Sequence, residues 1–188
     1  VLLRSTGGGE AGAPVDARVV AAWDALIALL GPVPWPDVEV RVVDGLDSLA
    51  ISLPGMILVH PDLCDQPLRL SWLYLVHELA HQWLGGLTVI RADASVVESL
   101  VDVLALRIVT GVLGEAAAAP VLATHRRGLG SGPPDVRDRS ATVLAQWDRD
   151  RGLGVTRWAR AEVDAGRTAL ERTGRRHALD IGDRERWA

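Results

Sequence analysis

The stretch HELAHQWLGG, residues 77 to 86, places two histidines and a glutamate inside an otherwise apolar segment. On a helix, residues four apart lie one above the other, so His77 and His81 can aim their imidazoles at a single point. Glu78 projects about 100° away, too far to be a good ligand of the same ion but suited to holding a water bound to it. The spacing reads as a two-histidine metal site with a base beside it. A bare HExxH on an exposed helix would carry no such meaning. Here the surrounding run, with Leu70, Trp72, Leu73, Val76, Leu79 and Trp83, is apolar most of the way round, which predicts a central helix over 67–84. Pro67 would open it and Gly85-Gly86 would end it.

A catalytic zinc usually has three protein ligands and one open position. Glu98 supplies the third candidate, 17 positions after His81, in VVESLVD on the next predicted helix. Asp102 sits one turn further on, where its carboxylate could accept the second ring N–H of a ligating histidine and fix its tautomer. Two carboxylates at that spacing could also form a solvated helix face. Two histidines and one carboxylate are, in addition, the facial set of non-haem iron oxygenases. The retained Glu78 favours zinc.

The rest of the chain frames this helix. Its 188 residues, 48% apolar and 23% charged, suit one globular domain with a real core. All 20 basic residues are arginine, and the formal net charge of −4 leaves no footprint for nucleic acid. The lone cysteine, Cys64, cannot form an internal disulfide. No apolar run is long enough to span a bilayer and no signal-peptide pattern opens the chain, so a cytoplasmic location without membrane contact is expected. Residues 1–14, small and glycine-rich, read as a flexible lead-in, 15–173 as the catalytic domain, and 174–188 as a loosely packed charged tail. Helical spacing is expected from Pro14 to Leu30, with strands at 38–42 and 56–59. Further helices are expected over about 94–113, 135–149 and 155–171, with a glycine- and proline-rich loop at 128–134.

HELAHQWLG followed by a glutamate on the next helix resembles the gluzincin metallopeptidases, and HELAHQW resembles the zinc motif of the aminopeptidase N family. ALIALLGPVPWPDVEVRVVD (25–44) is similar to that family's helix, Pro-rich turn and strand before the active site. VVESLVDVLALRIV is similar to its third-ligand helix, and SATVLAQW (140–147) to the helix after its late tyrosine. The resemblance implies that His77, His81 and Glu98 are zinc ligands, that Glu78 is the general base, and that Asp102 orients a histidine. It also implies an α+β, gluzincin-like (zincin) fold: a small mixed sheet on an active-site helix, with a helical C-terminal lobe.

Three departures stand out. The family's GxMEN stretch, whose glutamate grips a substrate's free amino group, corresponds to Ala50–Gly55, with Ser52 at the glutamate's place. The family's oxyanion-steadying tyrosine should fall near Arg137, and Tyr74 is the sole tyrosine. The gap from the motif to the third ligand is also shorter than usual. These points lead away from a conventional aminopeptidase and toward a peptide or a small amide or ester as substrate. Arg137 could replace the phenol as oxyanion donor or grip a substrate carboxylate, or be an exposed helix-start arginine between Asp135 and Asp138. Tyr74, three residues before His77, could reach the site or be a core tyrosine. His125 could be a second donor, or an exposed loop histidine beside two arginines. The expected function is zinc-dependent hydrolysis of an amide or ester. The alternative is an inactive zinc-binding pseudo-peptidase that acts as a binding protein. A small catalytic core exposing surface that larger relatives cover leads to the expectation of a homodimer or a partner protein.

Overall fold

Helices and two small sheets make up an α+β structure. The computed structural model describes residues 2–6, 17–35, 37–64, 68–91, 94–174 and 177–180. In order these form β1 (Leu2–Thr6), α1 (Ala17–Leu30), β2 (Asp37–Val42), β3 (Ala50–Leu53), β4 (Met56–Val59), α2 (Pro61–Cys64), α3 (Leu68–Ala80), β5 (Thr88–Arg91), α4 (Ala94–Leu113), α5 (Glu115–Ser131), α6 (Pro134–Asp150), α7 (Leu153–Thr173) and β6 (His177–Asp180). Among the described residues no helix is long and apolar enough to cross a membrane.

The first sheet has the order β1-β2-β4-β3, with β1, β2 and β4 parallel and β3 antiparallel at the edge. Period-two alternation turns Val38, Ile57 and Val59 inward, where they are buried in the helical core. A Pro54-Gly55 turn joins β3 to β4 and needs the positive φ of Gly55, +76°. β3 is the stretch that the family resemblance puts on an edge strand, and it runs alongside α3.

The central position of α3 follows from its apolar girth. Leu79, Trp83 and Leu84 are completely buried, and Trp83 packs on Trp23 of α1 with ring centroids 5.0 Å apart. A helix C-terminus leaves carbonyls without partners, and α1 solves this with borrowed donors. Trp83 Nε1 donates to the Gly31 carbonyl (2.8 Å), and Arg160 and Arg167 of α7 donate to the carbonyls of Leu29, Leu30 and Pro32. The C-terminal helix thereby ties itself to the N-terminal one.

The fold departs from expectation at five places. The regular part of α3 ends at Ala80 rather than Leu84. From there the backbone widens, with Gly86 N donating to His81 O, Leu87 N to Gln82 O and Thr88 N to Trp83 O, each five residues back. Only glycine fits at 86, since a Cβ there would lie 2.5 Å from the Gln82 carbonyl oxygen. The supposed lead-in is partly a strand, because Leu2–Thr6 finds the free edge of β2; the rest of 1–14 lies outside the described residues. The supposed loose tail likewise contains β6, parallel to β5, a strand equally unexpected from the sequence; residues 181–188 lie outside the described part, as do Pro14 and Pro67. Finally, most of the expected loop at 128–134 is the end of α5. Its alanine run is strongly helix-forming and carries the helix past Pro120 and two internal glycines.

Candidate metal centre

α3 and α4 pack side by side and bring the three expected ligands together. His77 Nε2 lies 3.1 Å from His81 Nε2 and 3.1 Å from Glu98 Oε2, and His81 Nε2 lies 3.4 Å from Glu98 Oε1. This group can hold a metal ion, its candidate ligand atoms all lying within 4.8 Å of one another. Four ligands at the usual zinc distances of roughly 2.0–2.1 Å would sit about 3.3 Å apart at the corners of a tetrahedron, close to these separations.

The tautomers fit as well. His77 Nδ1–H donates to Asp102 Oδ1 (2.9 Å), and His81 Nδ1–H donates to the Leu84 carbonyl (3.1 Å). Both Nδ1 atoms are thus engaged by oxygen, leaving both Nε2 lone pairs for the shared point. The widened turn after Ala80 belongs to this arrangement, since it contains the Leu84 carbonyl. Charge fits too: with neutral imidazoles, Glu78, Glu98 and Asp102 against Arg139 sum to −2, the charge a divalent cation cancels.

The buried surroundings tune each group. His77, Glu78 and Asp102 are 6%, 8% and 5% exposed. Burial pushes the Glu78 carboxyl above its ordinary range, although nearby His77 and His81 oppose the shift. Burial would also raise Glu98 and Asp102, but hydrogen bonds from the histidines to Glu98, and from His77 and Arg139 to Asp102, outweigh it and hold both low. Burial opposes charge on His77, yet its bonds to Asp102 and Glu98 lift its pKa to about 9.

A stability profile follows for metal-free protein. His77 is raised from 6.5 to about 9, so the stability from its ion pairs is complete below pH 6.5 and lost as pH rises through 9. Glu98 and Asp102 are lowered, so theirs is present above the ordinary carboxylate range and lost as pH falls. Thermal melts of chelator-treated protein are expected to show the highest Tm between about pH 5 and 6.5, falling on both sides. An unchanged Tm from pH 6.5 to 9.5 would contradict the ion-pair account.

Arg137 is not part of the site: it is exposed on the first turn of α6 and does not line the cavity. Two positions correspond to about 200° of helical rotation, and Arg139 points inward instead. Its Nε and Nη2 donate to the two oxygens of Asp102 (2.6 and 2.8 Å), and Nη1 lies 3.4 Å from Glu98 Oε2. Burial disfavours the Arg139 charge, but Asp102 more than compensates and raises its pKa. Arg139 was not among the residues expected from the sequence. Its phase with Val143, four residues on and fully buried, was the available signal.

His125 is half-buried on α5 rather than on an exposed loop, with Nε2 3.7 Å from Asp102 Oδ2 and burial lowering its pKa. Tyr74 is 40% exposed and lines the cavity beside His77. Gln82, fully buried, was also missed. Its Nε2 donates to Ser52 Oγ (2.7 Å) and the Leu53 carbonyl (2.9 Å), and its Oε1 accepts from Gly55 N (2.9 Å), clamping the β3–β4 hairpin to the motif.

Two clefts flank the centre. A cavity of about 700 Å³ extends toward α5 and α6, and one of about 370 Å³ runs under β3; Ala50, Glu78 and Glu98 line both. No protein-family model, curated protein or solved structure matches the chain.

Proposed function

We propose that the chain is a zinc-dependent hydrolase with a gluzincin-type fold, acting on an amide or ester and not as a conventional aminopeptidase. One observation carries this function: His77 and His81, each with Nδ1 engaged, turn Nε2 toward Glu98, while Glu78 lies buried beside them. Two imidazoles and one carboxylate suit zinc. When bound, zinc would polarise a carbonyl and acidify a water molecule. His77, His81 and Glu98 would hold it, and Asp102 keeps the His77 ring in place.

Glu78 takes a proton from the attacking water as its oxygen bonds to the carbonyl carbon. It passes that proton to the leaving nitrogen or oxygen as the scissile bond breaks, and so returns to its starting state. Its burial beside the ligands keeps bulk water from competing for that proton. The guanidinium sought at Arg137 is supplied by Arg139, whose Nη1, 3.4 Å from Glu98 Oε2, has a second hydrogen that can donate to a developing oxyanion.

The test is the metal content, by elemental mass spectrometry, of protein purified without chelators or a histidine tag. Wild type is expected to carry about one zinc per chain and Glu98→Ala little or none. Wild type that takes up no metal even when zinc is offered would overturn the proposal.

A further inference from the structure

Resting on the hydrolase function above, we propose that the larger cavity contains a carboxylate-binding subsite whose cation is Arg127. The substrates are then amides or esters that carry a free carboxylate, separated from the scissile carbonyl by an apolar segment.

The charges of the two clefts favour an anionic substrate. Among the described residues the only acidic groups lining either cleft are Glu78, Glu98 and Asp102, all of which belong to the metal centre. No carboxylate remains for a substrate ammonium group, and Ser52 is engaged by Gln82. The larger cavity is lined by two guanidinium groups. Arg139 gives its Nε/Nη2 fork to Asp102 and its Nη1 lies against Glu98 at the metal centre, so it offers no free fork to a carboxylate.

Arg127 is not committed. Its Nη2 donates to Thr124 Oγ1 (3.0 Å), one turn earlier on α5, and no carboxylate among the described residues pairs with it. The Thr124 hydroxyl in turn donates to the Pro120 carbonyl (3.1 Å), so the contact anchors one Nη2 hydrogen and leaves the other, beside Nε–H or an Nη1 hydrogen, as an adjacent pair for a ligand. A planar guanidinium with two adjacent N–H donors matches a carboxylate in bidentate fashion. The helix that carries Arg127 is held close to α6. A Cβ at Gly128 would lie 2.7 Å from Ser140 Oγ, and one at Gly132 would lie 2.8 Å from a Val136 methyl. Leu49, Leu73, Val121 and Val136 line the cavity with these polar groups and suit an apolar spacer.

The experiment uses matched hydroxamates, which grip zinc directly: benzyl-substituted succinyl and glutaryl hydroxamates with a free carboxylate, and their carboxamide twins. Binding to zinc-loaded wild type and Arg127→Gln is measured by calorimetry. The carboxylate form with the better spacer should bind wild type about tenfold tighter than its twin, the scale of one hydrogen bond to a charged group. That preference should vanish in Arg127→Gln with the carboxamide's affinity unchanged. Equal binding of both forms to wild type, or a preference that survives in Arg127→Gln, would overturn the subsite and leave the zinc centre standing. Failure of every hydroxamate to bind wild type would overturn the zinc centre and this subsite with it.

Discussion

Glu78→Gln is expected to retain about one zinc per chain and to lose turnover by a factor of roughly 10²–10⁴, the usual contribution of a positioned general base. The amide keeps the shape of the carboxylate but cannot take a proton. Glu78 is no ligand in the group formed by His77, His81 and Glu98, so the substitution separates chemistry from metal binding. Its burial sharpens the effect, because the same desolvation that raises its pKa also limits bulk water as a substitute base. Metal content and hydrolysis of an amide and ester panel, measured on the same preparation, give the comparison. Turnover preserved in the variant would remove Glu78 from the mechanism. Wild type that binds zinc and hydrolyses nothing would favour the inactive, partner-binding alternative.

Asp102→Ala is expected to weaken zinc binding by about 10–100-fold and to destabilise the protein by about 3 kcal/mol. Two separate losses are involved. His77 loses the acceptor of its Nδ1–H, so its ring and tautomer are no longer held. Arg139 loses the carboxylate that takes two of its bonds. The stability figure sits at the low end for a broken buried pair because the Arg139 side chain is 33% exposed. Competition with a zinc chelator reads the first loss and urea unfolding of metal-free protein reads the second. Affinity unchanged from wild type would mean that Asp102 is only a structural partner of Arg139.

The metal centre was legible because its geometry is local. His77 and His81 are one helical turn apart, as are Glu98 and Asp102, so only the packing of two consecutive helices had to be assumed. Arg139, His125 and Gln82 were not legible because their roles depend on which distant element each one meets: Arg139 reaches back to α4, and Gln82 to a hairpin some thirty residues earlier. Arg137 stands where the family resemblance points, whereas Arg139 shares the helical phase that Ser140, Val143 and Trp147 define. The strands β1 and β6 escaped because neither has a local signal, and each exists through an edge offered by a far part of the chain. The helix α5 escaped because its cavity-facing stripe, Val121, Thr124, His125, Arg127, Gly128 and Ser131, has almost no large apolar residue to mark it.

The pairing of β5 with β6 orders events in time. Leu84, whose carbonyl orients His81, bridges to Thr88, and Thr88 opens the strand that pairs with His177–Asp180. Contacts between segments so far apart close slowly, since the loop entropy must be overcome before the pairing contributes. A nascent chain can therefore form α3 and α4 early, with His77, Glu98 and Asp102 already near one another. The strand that continues from the brace behind His81 can pair only once residues 177–180 have been synthesised. The strand that leads away from the two-histidine motif is thus completed by a segment nearly ninety positions further along the chain, Thr88 pairing with His177.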